Sequence, residues 1–213
     1  MSLVVQVDHP LIQSHLTTLR NERTLPAEFR ASLRRVSTLL AFEATRHLAV
    51  RDTAVQTPLT RITGKELGSS VALVPILRAG LGMVDPMLDL IPTAEVWHLG
   101  VYRDEATAEP VEYYNKIPDS HPAETAFVLD PMLATGGSAI VALSVLEAWK
   151  VRSIYLISII AAQPGIDMVR SRFPDVRIIV GAIDPELNSR KFIVPGLGDA
   201  GDRTFGTLRH ADV

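Results

Sequence analysis

From Ser70 onward the chain repeats one pattern: a short run that is apolar on both faces, then a stretch whose apolar residues return at helical spacing. The runs are Val71 to Leu77, Ala94 to Val101, Ala126 to Leu129, Ser153 to Ala161 and Arg177 to Ile183. Between them, Gly80 to Ile91 lines up Leu81, Val84, Met87, Leu88 and Ile91, and Ser138 to Trp149 lines up Val141, Val145, Leu146 and Trp149. A strand without a polar face must be covered on both sides, and strands that alternate with helices connect in parallel. The pattern predicts an α/β fold with a mostly parallel central sheet flanked by helices. Pro75 lacks the N–H that a central strand donates, so its run is expected to be bulged or near an edge.

Before residue 70 the chain reads as helical. His9 to Arg20 carries Leu11, Ile12, His15, Leu16 and Leu19 on one stripe, and Pro26 stands where a first helical turn tolerates it, ahead of Phe29, Leu33, Val36, Leu39 and Leu40. The 213 residues suit one domain, since a chain of this size buries roughly 70% of its unfolded surface. Its parts are a helical segment (1–69), an α/β core (70–185) and a loop and tail (186–213). The N-terminal helices hold more leucine than one sheet face needs, and serve equally as a subunit contact or as an internal cover. A net charge of −3 with mixed signs argues against a non-specific nucleic-acid binder. With no cysteine and six scattered histidines, disulfides and thiolate chemistry are excluded and soft metal ligands are few. No apolar run approaches the ~20 residues that span a bilayer, and the N-terminus shows no basic-then-apolar leader, so a cytoplasmic protein without membrane association is expected.

In an open α/β sheet the ligand lies beyond the carboxyl ends of the strands. Phe127 to Ala139, "FVLDPMLATGGSA", delivers Asp130 to such an end and then passes through Thr135, Gly136, Gly137 and Ser138 into a helix. Glycines let backbone N–H groups close on an anion, and a helix N-terminus adds about half a positive charge, which suits a phosphate. Asp130 repels that phosphate but can accept hydrogen bonds from the hydroxyls of an attached sugar, so the loop describes a ribose phosphate. The same residues also read as a plain strand-to-helix turn with Ser138 as N-cap. Val74 to Gly82, "VPILRAGLG", ends a second strand in Arg78 and enters a second helix, a match for another phosphate or a guanidinium lying along a sheet rim. Val101 to Lys116, with Arg103 and Pro110, is polar and joins two strands; it reads as a lid or as a solvated hairpin.

A decoy lies near the C-terminus. "VPGLGDAGDR", Val194 to Arg203, sets Gly196, Gly198 and Gly201 at the spacing of a dinucleotide-binding turn, but that turn needs a following helix, a strand and an acidic residue about 20 positions on. The sequence ends 12 residues after Gly201, so these glycines are expected to serve something else.

Taken in order, "VPILRAGLGM", "EATAEPVEYYNK", "VLDPMLATGGSA" and "FIVPGLGDAGDRTFGT", with "HPLIQSHLTTLRNERT" ahead of them, resemble the uracil phosphoribosyltransferases among the type I phosphoribosyltransferases. The resemblance implies conversion of uracil and phosphoribosyl diphosphate (PRPP) to UMP and diphosphate, a pyrimidine-salvage reaction. By match, Asp130, Pro131, Met132, Leu133, Ala134, Thr135, Gly136, Gly137 and Ser138 hold the ribose and its 5′-phosphate, and Arg78 and Arg103 bind the diphosphate. Ile193, Gly198, Asp199 and Ala200 read uracil through the main chain, with Asp199 also touching PRPP. Catalysis falls to Asp130, Arg78 and Arg103. The family uses Mg²⁺, bound here mainly through PRPP. It is commonly oligomeric, so a homodimer or larger assembly is expected, and some members are activated by GTP. Two positions depart from the family pattern. Pro131 stands where many type I relatives place a second acid, and Phe192 replaces the usual tyrosine before the base loop. Two other functions fit the same fold: a nucleotide sensor or RNA-binding regulator, and a sister enzyme acting on a purine.

Overall fold

The computed structural model describes residues 3–103, 110–115 and 122–207. In chain order these form β1 (Val4–Gln6), α1 (Pro10–Arg20), α2 (Pro26–Ala44), β2 (Val50–Gln56), β3 (Arg61–Leu67), β4 (Val71–Leu77), α3 (Val84–Leu90), β5 (Glu95–Val96), β6 (Leu99–Arg103), β7 (Pro110–Asn115), β8 (Thr125–Leu129), β9 (Met132–Leu133), α4 (Gly137–Ala148), β10 (Ser153–Ala162), α5 (Gln163–Arg172), β11 (Arg177–Asp184), β12 (Glu186–Leu187), β13 (Ile193–Val194) and α6 (Ala200–Phe205). The central sheet runs β1-β11-β10-β8-β4-β6-β7, with β5 also pairing β4 and β9 also pairing β10. Its ladders are parallel except for β6 with β7.

The pleat sorts each strand's neighbours onto opposite faces. Leu73, Phe127, Ile157 and Ile179 join Ile12, Leu16 and Leu19 of α1 and Phe29, Leu33, Val36 and Leu40 of α2 in one buried cluster. Val74, Val128, Leu156 and Val180, each one residue away, join Leu143 and Leu146 of α4 and Ile166 and Val169 of α5 in the other. The N-terminal helices are thus an internal cover for one sheet face. Both start with proline at the first turn, and the His9 ring accepts the Leu11 N–H at 3.2 Å to cap α1.

Several sequence expectations need correction. Residues 1–69 are not wholly helical: β1 adds a strand to the sheet edge, and β2 and β3 form a separate antiparallel hairpin. That hairpin is largely solvated on both faces, so no one-sided apolar alternation betrays it. The run 94–101 is two short strands, β5 and β6, split at Trp97 and His98. The split explains Pro75, which sits mid-sheet opposite Leu129 and is neither bulged nor at an edge. The Leu73 carbonyl accepts the Trp97 N–H at 2.8 Å, so strand alternation turns Pro75 toward that same side, where the neighbouring strand is interrupted and no donor is required. Helix α5, between β10 and β11, adds to the two helices expected within the α/β core, and Pro164 occupies its first turn. Among the described residues, no helix is long and apolar enough to cross a membrane.

Candidate active site

From β4 the chain moves to β5 and β6 on one side and afterwards to β8 on the other, so the strand order reverses between β4 and β8. At such a reversal the connections diverge and leave a crevice at the carboxyl edge. Pro75 pairs with Leu129 and Leu77 with Gly100, which puts Arg78, Asp130 and Arg103 at the ends of three adjacent parallel strands. Asp184 ends β11 on the same edge. Of the expected lid, Val101 to Lys116, residues 104–109 and 116 lie outside the described residues, as does the side chain of Arg103; the described part is an antiparallel hairpin stem with Arg103 opposite Pro110.

The loop 130–138 is stitched to the sheet. The Asp130 N–H donates to Ile157 at 3.2 Å, the Pro131 carbonyl accepts from Ile159 and Ile160 at 3.1 Å, and Met132 and Leu133 pair with Ile160 and Ala161. Pro131 and Leu133 are buried, so only their main chain can face a ligand; Thr135 and Ser138 are half-buried. The N-cap of α4 is Gly136, at φ +84°, not Ser138. A β-carbon there would be strained by the left-handed backbone and crowded at 3.1 Å from the Gly165 carbonyl. No side chain caps this helix and no acid stands in its first turn, so its leading N–H groups are not closed off by a local carboxylate. Asp130 is the electrostatic singularity of the site. Burial pushes its carboxyl from 3.8 up to about 7, and the Met132 N–H, 3.3 Å from Oδ1, offsets part of that rise.

Arg78 follows a cis Leu77–Arg78 peptide and leads into a 3₁₀ turn, Ala79–Met83, in place of the expected α-helical start. Gly80 lets this turn lie on the end of β8, because a β-carbon would fall inside contact distance of the Leu129 carbonyl. The Arg78 Nη2 donates to Asp202 Oδ1 at 3.0 Å, and the Thr207 hydroxyl donates to the same oxygen at 2.5 Å. With the two side chains 56% and 32% exposed, such a pair contributes about 0–1 kcal/mol. An incoming phosphate therefore meets little resistance in drawing the guanidinium away.

The glycine-rich tail segment follows a cis Val194–Pro195 peptide. Gly196 and Gly198 have φ of +63° and +75°, and a β-carbon on Gly196 would collide with the Ile193 carbonyl. Gly201 differs: it lies in the first turn of α6, is not left-handed, and sits beside the Arg78 guanidinium. Asp199 is the N-cap of α6, its Oδ1 accepting the Asp202 N–H at 2.8 Å. The Ile193 and Ala200 side chains are buried, which leaves main chain as what these residues can offer a ligand. Phe192 stands 41% exposed next to them.

Three charged residues that sequence reasoning missed hold this segment. Arg20, the last residue of α1, donates to both carboxylate oxygens of Asp184, at 2.8 and 2.6 Å, and to the Gly196 carbonyl at 2.8 Å. Asp184 in turn accepts the Gly196 N–H at 3.0 Å. Arg203, buried, donates to the carbonyls of Leu197 at 2.7 Å, Asn21 at 2.6 Å and Leu19, and stacks over the Phe29 ring. Asp184 was findable, since it directly follows a strand run; its partners are distant in sequence and carry no local signal.

A family model described as uracil phosphoribosyltransferase matches residues 5–207. The uracil phosphoribosyltransferase of Roseiflexus sp. (strain RS-1) is 53% identical over 207 residues, covering 97% of this chain and all of its own. That of Dictyoglomus thermophilum is 50% identical over 206 residues, with 96% and 100% coverage. Among solved structures, the AQ2163 protein from Aquifex aeolicus superposes with a TM-score of 0.92 at 34% identity, covering 97% of this chain and 100% of that one. The adenine phosphoribosyl transferase from Trypanosoma brucei, at a TM-score of 0.51, 10% identity and coverage of 86% and 84%, shares the fold alone.

Proposed function

This chain belongs to the uracil phosphoribosyltransferase family, and from that premise we propose how its own residues divide the conversion of uracil and PRPP to UMP and diphosphate. The observation that carries the proposal is the meeting, at one crevice, of an uncapped helix start, a half-buried carboxyl and a glycine-lined main-chain edge. The N–H groups at Gly136 to Ser138, with the hydroxyls of Thr135 and Ser138, hold the 5′-phosphate. Asp130 accepts hydrogen bonds from the ribose hydroxyls. Arg78 leaves Asp202 for the diphosphate, and Arg103 joins it from the end of β6.

Uracil N1 attacks the anomeric carbon, the bond to the diphosphate oxygen breaks, and the N1 proton leaves to solvent or to the diphosphate. Positive charge develops on the ribose ring as the bond loosens. An ionised Asp130 beside the ring hydroxyls stabilises it, and the arginines stabilise the charge gathering on the leaving group. Mg²⁺ supplies further neutralisation of that charge when bound. Among the described residues, no group of three or more His, Asp or Glu could hold a metal ion. Asp130 would be the residue nearest to such an ion, with most of its contacts left to water and to the ligand's phosphates.

Uracil presents a flat edge of alternating donors and acceptors to the main chain at Ile193 and Gly198 to Ala200. Cytosine reverses part of that edge, and each unpaired buried group costs about 1–3 kcal/mol. With PRPP and Mg²⁺, uracil is expected to yield UMP, while cytosine and hypoxanthine fall at least about tenfold lower in kcat/KM. Equal turnover of hypoxanthine would overturn the base assignment, and 5-fluorouracil reports the tolerance beside Phe192. GTP added to the same assay tests the activation that the family resemblance implies. The proposed homo-oligomer is supported by the β2–β3 hairpin, which exposes Val50, Ile62 and a 94% exposed Leu59; sedimentation at a mass above the 23.3 kDa monomer is the expected result.

A further inference from the structure

We infer that Arg20 and Asp184 are positioning residues for base recognition: their ion pair grips both polar groups of Gly196 and sets the register in which the main chain 193–200 meets the pyrimidine. The inference rests on the base-site assignment above and adds two residues that touch no substrate.

The four groups form a closed ring. Asp184 Oδ2 accepts from both the Gly196 N–H and Arg20 Nη1, and the same Nη1 reaches the Gly196 carbonyl. Gly196 needs such a grip. Its left-handed backbone, next to a cis peptide, admits no β-carbon, so no side chain can anchor it by packing. Both arms of the clamp stand on rigid elements: Asp184 ends a central parallel strand, and Arg20 ends a helix fixed to the sheet by Ile12, Leu16 and Leu19. Asp184 is 4% exposed. A buried ion pair is weak evidence for a stabilising role, because apolar residues of similar size commonly replace one at no loss of stability. What such residues cannot supply is a donor and an acceptor for Gly196. Gly198 and Asp199 lie two and three residues on, and displacing a reacting geometry by about 1 Å can cost on the order of 10²-fold. The ribose-phosphate loop is on different elements, β8 to α4, so loss of the clamp spares it.

The double variant Arg20→Met with Asp184→Leu removes the ring without leaving a buried charge. Uracil KM is expected to rise about tenfold, with PRPP KM changed by less than about twofold. Amide hydrogen exchange at Gly196 should speed by about tenfold or more while the first turn of α4 is unchanged. Arg20→Lys keeps the charge beside Asp184 but replaces the two-nitrogen fork with a single nitrogen, which cannot hold both Asp184 oxygens and the Gly196 carbonyl in the same geometry, and it carries the test alone if the double variant does not fold. A folded variant with unaltered uracil KM, with both KM values rising together, or with unaltered exchange at Gly196 overturns the inference. Failure of the base-site assignment is distinguishable: it appears in the unaltered chain, as hypoxanthine turnover equal to that of uracil or as UMP bound with its base away from 193–200, and the exchange measurement reads the clamp in either case.

Discussion

Asp130→Asn is expected to lower kcat by about 10²–10³ and, in the same protein, to raise the unfolding temperature at pH 8. The two effects share one cause. Burial holds the Asp130 carboxyl at about 7 in the folded chain, against 3.8 as its ordinary value. A folded pKa above the unfolded one means that the native state binds the extra proton, so stability from this group is greatest in acid and is lost as pH rises through 7. At pH 8 the native chain keeps an ionised carboxyl in a poorly solvated place. Asparagine removes that charge and keeps an oxygen for the Met132 N–H. Unfolding at pH 8 should shift upward by roughly 2–8 °C, and the gap should narrow toward pH 5. On the proposed role of Asp130 the ionised form is the one that turns over, so kcat/KM of the unaltered enzyme should climb with pH through about 7. A variant that is neither slower nor more stable would show that the carboxyl is not held in this strained ionic state.

Arg78→Ala is expected to reduce kcat/KM for PRPP by about 10²-fold, with the unfolding temperature within about 3 °C of the unaltered chain. The contrast follows from what each partner offers the guanidinium. Asp202 is a solvated carboxylate whose pairing contributes little, whereas a diphosphate in a crevice takes charge-assisted hydrogen bonds where water is scarce. Steady-state kinetics alongside a thermal melt separates the two. A large fall in melting temperature would instead identify Arg78 as a structural tie between the 3₁₀ turn and α6.

Much of this architecture is legible in the sequence because a doubly covered strand has no alternative reading. The runs around Val74, Val128, Leu156 and Val180 emerge as strands within one or two residues of their expected bounds. The strand-to-helix turn at 130–138 and the turn at the tail glycines were also legible as structure, since the left-handed φ at Gly136, Gly196 and Gly198 favours glycine. What stayed hidden has a common physical character. The β2–β3 hairpin buries little and so carries no hydrophobic period. The pair Arg20–Asp184 and the carbonyl cage around Arg203 are contacts between ends of the chain, and a charge beside apolar residues looks the same whether it faces water or a buried partner. The capping role given to Ser138 failed for a subtler reason: the chain enters the helix two residues earlier, at Gly136, and leaves the first N–H groups without a side-chain cap.

The most direct test of the whole account is a crystal structure of the chain with UMP. The expected result places the 5′-phosphate on the N–H groups of Gly136 to Ser138 at about 3 Å, the ribose hydroxyls on Asp130 at a similar distance, and the uracil edge along the main chain of Ile193 and Gly198 to Ala200. UMP bound with its phosphate away from the start of α4, or with its base turned from the tail segment, would contradict it.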